Sequence, residues 1–367
     1  MKTAHLLYSL NPGGIESFVL QLTAALPAGV ETHVLTFGDG PLRARFEAAG
    51  ATIHFLGSLT HPVSLLRLHR TLRHVRPDVF NCHVTVAAGA AAVACRRMHI
   101  PFILYSHNAR PLAFSARSLY ANVEKVSYAL ANRLKNLGIG VSRQACRAFG
   151  KTAGRCRFVN LGLDFSRFRP DPAVGAQLRQ RWGIPEGTQV VANVAGYRFQ
   201  KNYPFFIDIA AGVVRQTQNV RFLLIGEGRE REAMEQQIGR LGLARYCTLT
   251  GFVDNVPELL TNVVDVFLFP SKSEGLGLGL VEAQAAGLRC VYSDVVPPEA
   301  VINPALVTAI SPARPADEWA AVVVRQLAAA AAAPDGRDEA LRLALQSNFN
   351  MDNVVREYMS IWTEMTR

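Results

Sequence analysis

Apolar β-type runs alternate with helical segments along nearly the whole chain, and no other feature of the sequence narrows the possible folds as much. The strand candidates are AHLLYSL, THVLTF, ATIHFL, VFNCHV, PFILYSH and GIGVS, followed by QVVANVAGY, RFLLIGEG, CTLTGF, VDVFLFP and RCVYSD. Between most of them stand helical stretches such as GIESFVLQLTAAL, NYPFFIDIAAGVVRQ and EREAMEQQIGRLGL. This alternation predicts an α/β chain with parallel sheets layered between helices. The pattern runs once, breaks around VNLGLDFSRFRPDPAVG and starts again, and Pro170, Pro172 and Gly175 mark that break as a linker. A length of 367 residues is more than one core usually spans. The expectation is two doubly wound, Rossmann-like domains facing across a cleft, over residues 1–168 and 169–349. Ligands of such sheets sit beyond the carboxyl ends of the strands. QLAAAAAAPDG reads as a helix ended by Pro334 and Gly336. In the last segment, residues 350–367, Val355, Met359 and Trp362 fall at helical spacing and predict a helix docked on another part of the protein.

The charge is unevenly placed. Residues 1–168 carry 20 Lys and Arg against 7 Asp and Glu, and residues 169–367 carry 19 against 22. A basic first half suits an anionic lipid, a phosphorylated carrier, an acidic glycan or nucleic acid. SLLRLHRTLRHVRPD interleaves leucines with Arg67, Arg70, Arg73 and Arg76. It reads either as a solvated helix face or as a surface for acidic headgroups or an anionic acceptor. No RNA- or DNA-binding module is recognisable, so nucleic acid is not expected as a partner. The six cysteines have neither metal-finger nor CxxC spacing and read as buried thiols in a reducing, cytoplasmic setting. The first apolar run leads into a glycine turn, which predicts a strand and not a signal peptide. VTVAAGAAAVAC stops at Arg96-Arg97, short of a membrane span. The P-loop, the nucleophile elbow, HExxH and a DxD pair of metal-binding aspartates are all absent.

The chemistry-bearing residues cluster at predicted strand ends. VFLFPSKSEGLGLGLVEAQAAG passes from a strand through Glu274 and the glycines Gly275, Gly277 and Gly279 into a helix that carries Glu282. Free backbone N–H groups at such a helix start favour a phosphate, and the two acids can accept hydrogen bonds from sugar hydroxyls. The plainer alternative is a glycine-rich βα turn with two surface acids. A dinucleotide fingerprint fits only in part, because Leu280 stands where its third glycine belongs. VAGYRFQKNY brings Arg198 and Lys201 to the end of another strand, where cations suit a diphosphate leaving group or simply face water. LNPGGIES offers a second glycine turn at Gly13 and Gly14. LYSHNAR sets His107 and Asn108 directly after a strand.

Taken together, and in this order along the chain, GGIE, SHN, QKN and the E-x7-E region from Glu274 to Glu282 resemble the GT-B retaining glycosyltransferases of family 4. The resemblance covers nearly the whole chain. It implies a nucleotide-sugar donor held mainly by the C-terminal domain and an acceptor met by the N-terminal one, to which the final helix returns. It implies that Glu274 contacts the donor sugar, Glu282 the ribose hydroxyls, and the amides of Gly275, Leu276, Gly277 and Leu278 the sugar and phosphate. Lys201 would neutralise the diphosphate, Gly13 and Gly14 would approach it, and His107 would lie near the reacting sugar. The base would stack near Phe252 and Val253. One departure stands out: aligned on Gln200-Lys201-Asn202, the family's arginine position holds Gly196, and Arg198 lies two residues on.

The implied activity is that of a metal-independent, hexosyltransferase-type enzyme of cell-surface polysaccharide synthesis. It would need no cofactor beyond its donor substrate, with UDP the favoured nucleotide, and would act on a glycan or lipid-linked acceptor, cytoplasmic or peripheral on the inner membrane face. Two other readings stay open, a nucleotide-sugar epimerase or hydrolase on the same scaffold and a non-catalytic sugar-nucleotide-binding partner in an assembly complex.

Overall fold

The computed structural model describes residues 1–107, 119–332 and 336–367; Asn108 and Pro334 lie outside them. The chain divides into two compact units, residues 1–163 with 348–367, and residues 164–347.

The first unit is built on seven strands: β1 (Lys2–Leu7), β2 (Glu31–Thr36), β3 (Thr52–Phe55), β4 (Val79–Cys82), β5 (Phe102–Ser106), β6 (Leu137–Gly140) and β7 (Cys156–Phe158). Their order in the sheet is β3-β2-β1-β4-β5-β6-β7, with every pair parallel. β1 and β4 to β5 are buried on both faces, which is why they read as continuous apolar runs. The helix Met351–Met365 packs on the helix Gly14–Ala25, and its Tyr358 and Trp362 are fully buried. Trp362 Nε1 donates to Asn81 Oδ1 at 3.3 Å, anchoring the chain end to β4.

The second unit holds β8 (Gln189–Val194), β9 (Val220–Ile225), β10 (Cys247–Gly251), β11 (Val266–Phe269), β12 (Arg289–Ser293) and β13 (Val307–Ile310). The order is β10-β9-β8-β11-β12-β13, again all parallel. In both sheets the winding starts in the middle, runs out to one edge, then returns to build the other half. The point of reversal lies between β1 and β4 in one unit and between β8 and β11 in the other. At such a switch point the two neighbouring strands send their connections to opposite faces, and a crevice opens beyond their carboxyl ends.

Several expectations change. β7 and β13 are short edge strands with half-buried residues, and their weak patterning hid them. The segment read as a linker is structured: Asp171 caps the helix Pro172–Arg181, and Pro172 stands in its first turn, where its missing N–H costs nothing. Two of the six cysteines are not thiols. Cys146, in the short helix Arg143–Arg147 after β6, and Cys156, which opens β7, form a disulfide with Cα atoms 5.8 Å apart, a pairing that no short spacing motif announces. Cys82, Cys95, Cys247 and Cys290 are free. Among the described residues no helix is long and apolar enough to cross a membrane.

Candidate functional site

The switch point of the second unit gathers the charged residues. β8 runs into the loop 195–202 and β11 into the loop 270–277. Asn202 closes the first loop in a left-handed conformation (φ 58°), which asparagine tolerates better than most residues. Its Nδ2 donates to the Pro270 carbonyl at 3.1 Å, and the Lys272 N–H donates to the Gln200 carbonyl at 2.7 Å. The two loops are therefore stitched together by backbone and amide contacts before any charge is considered. Below them Asn193 Nδ2 donates to the Leu268 carbonyl at 2.6 Å, and Tyr203 Oη lies 2.9 Å from Asn193 Oδ1 and 2.8 Å from the Ala195 carbonyl.

On this frame Lys201 Nζ donates to both oxygens of Glu274, at 2.7 and 2.9 Å. Ser271 Oγ donates to Glu274 Oε1 at 2.6 Å, and the Phe269 ring lies beneath the ammonium at 5.2 Å. The Glu274 side chain is 8% exposed and that of Lys201 23%. A pair this enclosed is held in a defined geometry rather than sampling solvent, and its lysine stays accessible from one side. Arg198 is exposed and makes no ion pair among the described residues. Its Nε lies 3.4 Å from where a β-carbon on Gly196 would stand, so its side chain folds back over the position that lacks the arginine.

The glycines after Glu274 have distinct local causes. Gly277 caps the helix Leu278–Ala285 at φ 96°, a conformation that a side chain would strain, and a β-carbon there would come within 3.0 Å of Val296. At Gly279 a β-carbon would stand 3.0 Å from the Val194 carbonyl and 3.3 Å from the Phe267 ring. The helix start is thus pressed directly onto the ends of β8 and β11, and its free N–H groups open at the switch point. Gly275 and Leu276 are buried in the turn, and Leu278 begins the helix half-buried. Glu282, one turn in, has no hydrogen-bond partner among the described residues, and burial pushes its carboxyl up to about 7. The Glu282 residue is half-buried rather than sealed, so a hydroxyl donor can still reach it. Phe252, 56% exposed, and the half-buried Val253 follow β10, which lies two strands from β8.

The first unit places Gly13 and Gly14 at the carboxyl end of β1, beside its own switch point. The Glu16 carboxylate occupies the space where a β-carbon on Gly13 would stand, and the Ser17 N–H donates to the Gly13 carbonyl at 2.9 Å. His107 follows β5 and lies 2.9 Å from His83, which follows β4. Arg67, Arg70, Arg73 and Arg76 are all exposed along or just after the helix Val63–Val75, whose Leu68, Leu72 and Val75 face the core.

Sequence reasoning missed Ser271, Asn202 and Tyr203, which hold the charged pair, and His5 and His83. His83 carried a usable signal, since it stands after its strand as His107 does. Among the described residues no group of three His, Cys, Asp or Glu side chains is arranged to hold a metal ion.

Two family models match the chain, one in each half. The family model described as Glycosyltransferase Family 4 matches residues 12–167, and the one described as Glycosyl transferases group 1 matches residues 176–328. A Bacillus subtilis (strain 168) relative named "Putative glycosyltransferase EpsF" is 26% identical over 89% of this chain and 88% of its own. The UDP-Gal:alpha-D-GlcNAc-diphosphoundecaprenol alpha-1,3-galactosyltransferase of Escherichia coli is 22% identical over 80% of each chain. The crystal structure of Anabaena HepE in complex with UDP-glucose superposes with a TM-score of 0.85 at 20% identity, covering 99% of this chain and 100% of that one.

Proposed function

Because this chain belongs to the GT-B glycosyltransferases of the family 4 type, we propose that it transfers a hexose from a UDP-linked donor to a glycan or lipid-linked acceptor of cell-surface polysaccharide synthesis, with retention of anomeric configuration. The observation that carries the reading is the enclosed Lys201–Glu274 pair at the β8/β11 switch point, beside a helix N-terminus and the unpartnered Glu282. The relatives add to it: one is named for a UDP-galactose donor and a diphosphoundecaprenol-linked acceptor, and HepE binds UDP-glucose.

In this reading the second unit holds the donor. Glu282 accepts hydrogen bonds from the ribose hydroxyls, Glu274 from the sugar hydroxyls, and Phe252 and Val253 flank the base. The amides of Gly275 to Leu278, with Lys201 and Arg198, meet the diphosphate. In the first unit, which receives the acceptor, Gly13, Gly14 and His107 are the ligand-facing residues. The acceptor oxygen bonds to the anomeric carbon as the bond to the diphosphate breaks, and the acceptor proton passes to a phosphate oxygen. Catalysis then comes from positioning and from stabilising charge on the leaving diphosphate. The protein side chains supply that stabilisation without a required metal or further cofactor.

The acceptor class is read from the first unit's surface. The helices Val63–Val75, Ala88–Met98 and Leu119–Leu134 line an open groove of about 330 Å³ with Leu65, Leu66, Val93 and Leu130, edged by His69 and Arg97. Exposed leucines among exposed arginines suit the inner face of an anionic membrane and a lipid-linked acceptor there.

Thermal-shift titration with UDP-, GDP- and ADP-sugars, followed by product analysis with a diphospholipid-linked glycan, tests the reading. Stabilisation by UDP-sugars and an acceptor-dependent product are expected. Release of free sugar or of an epimer without acceptor, or binding without turnover across an acceptor panel, would overturn it.

A further inference from the structure

Three histidines of the first unit form one hydrogen-bonded line. His5 lies within β1, His83 immediately follows β4 and His107 immediately follows β5. His5 Nδ1 is 3.1 Å from His83 Nε2, and His83 Nδ1 is 2.9 Å from His107 Nε2. The rings of His5 and His83 stack with centroids 5.4 Å apart, and Tyr105 packs on both His83 and His107, at 4.1 and 5.6 Å. At the two ends His5 Nε2 and His107 Nδ1 are shut off from solvent and have no hydrogen-bond partner. Burial pushes His5 and His107 down to about 3, and burial with the neighbouring rings holds His83 well below its ordinary value. All three rings are therefore neutral near pH 7.

Neutrality restricts what such a line can do. A neutral imidazole has one N–H and one lone pair. His83 must spend its N–H on one neighbour and its lone pair on the other. Only two arrangements then make both hydrogen bonds. Either all three rings carry the proton on Nδ1, or all three carry it on Nε2. In the first, His107 Nδ1 is a donor; in the second, it is an acceptor. A ring that departs from its neighbours leaves a buried nitrogen facing one of its own kind and loses a hydrogen bond that water cannot replace. The tautomer of His107 is thus tied to that of His5, two rings away in β1.

We propose that His83 and His5 are positioning residues that hold His107 in one tautomer, shared along the whole line. The inference rests on the ligand-facing role of His107 proposed above. It explains why two further histidines, with no reach to a ligand of their own, occupy a buried line behind it.

Long-range 1H–15N correlation spectra of the full chain labelled at histidine report the tautomers directly. The expected result is one shared tautomer for His5, His83 and His107 in the wild-type protein. Different tautomers within the line, or a charged ring at neutral pH, would overturn the proposal. Two substitutions extend the test. His83→Gln keeps one donor and one acceptor, so His107 is expected to stay in a single tautomer with most of kcat retained. His83→Phe is expected to leave His107 a mixture of both and to lower kcat about tenfold with donor KM little changed. Equal losses in the two variants, or none in His83→Phe, would contradict the positioning role. If His83→Phe does not fold, the wild-type spectra and the glutamine variant still decide. Wild-type transfer by His107→Ala would remove His107 from the reaction and overturn the catalytic use of the line. A misread donor site shows differently, as absent UDP-sugar binding in the wild-type protein.

Discussion

At the residue scale the account turns on how Lys201, Glu274 and Glu282 are held. Lys201→Ala and Glu274→Ala are each expected to lower transfer about 10²–10³-fold, the scale on which single charge-stabilising groups act. The fold should be intact by circular dichroism, since their ion pair is one contact among several between the two loops. Near wild-type rates would sink the assignment. Arg198→Ala is expected to cost less than Lys201→Ala, because Arg198 reaches the site from an exposed position over Gly196. Glu282 gives a pH dependence of stated sign. Its carboxyl pKa is raised from 4.5 to about 7, so the folded state favours the protonated form. Its contribution to stability is largest below 4.5, falls as pH rises through 7, and is constant above. Hydroxyl donors favour the carboxylate, so donor binding should release a proton and affinity should rise up to about pH 7 before levelling. Calorimetric titration of a UDP-hexose, whose diphosphate does not itself titrate there, between pH 6 and 8, in the range set by that raised value, measures this; Glu282→Gln should give a flat profile. A flat profile in the wild type would contradict the ribose contact.

At the element scale the helix Leu278–Ala285 is placed by its glycines. Gly277→Ala must put a β-carbon on a residue at φ 96° and against Val296, a strain of about 1–3 kcal/mol. Lower thermal stability and weaker UDP binding are expected together, because the same shift moves the amides at the helix start. Unchanged stability would show that the turn relaxes at no cost. These causes also mark how far the sequence could be read. The glycine repeat announced a turn with an unusual backbone, yet its reasons at Gly277 and Gly279 lie in contacts with Val296, Val194 and Phe267, some of them far away in sequence. Lys201 and Glu274 were each legible from strand-end position. Their pairing across 73 residues, and the Ser271, Asn202 and Tyr203 contacts behind it, depend on which strands become neighbours. β7 and β13 escaped because a half-buried edge strand carries little alternation. The Cys146–Cys156 bond escaped because a separation of ten residues matches no motif.

At the scale of the whole molecule the alternation of strands and helices was sufficient to indicate two parallel α/β sheets, since parallel strands require crossovers and crossovers of this length are helices. The return of the chain end to the first unit rests on Tyr358 and Trp362, both fully buried there. Trp362→Ala is expected to destabilise that unit by about 3–5 kcal/mol, read as a lower urea midpoint. The basic first half and its arginine-edged groove predict flotation with anionic but not neutral liposomes at moderate salt; equal behaviour would contradict the membrane-facing role. The central claim is that this chain moves a sugar from a UDP-linked donor with its anomeric configuration kept. Proton NMR of the product formed from an α-linked UDP-hexose and a diphospholipid-linked acceptor tests it most directly. An α-glycoside that disappears with Lys201→Ala is the predicted result; a β-glycoside, or no glycoside at all across UDP-hexoses, would contradict it.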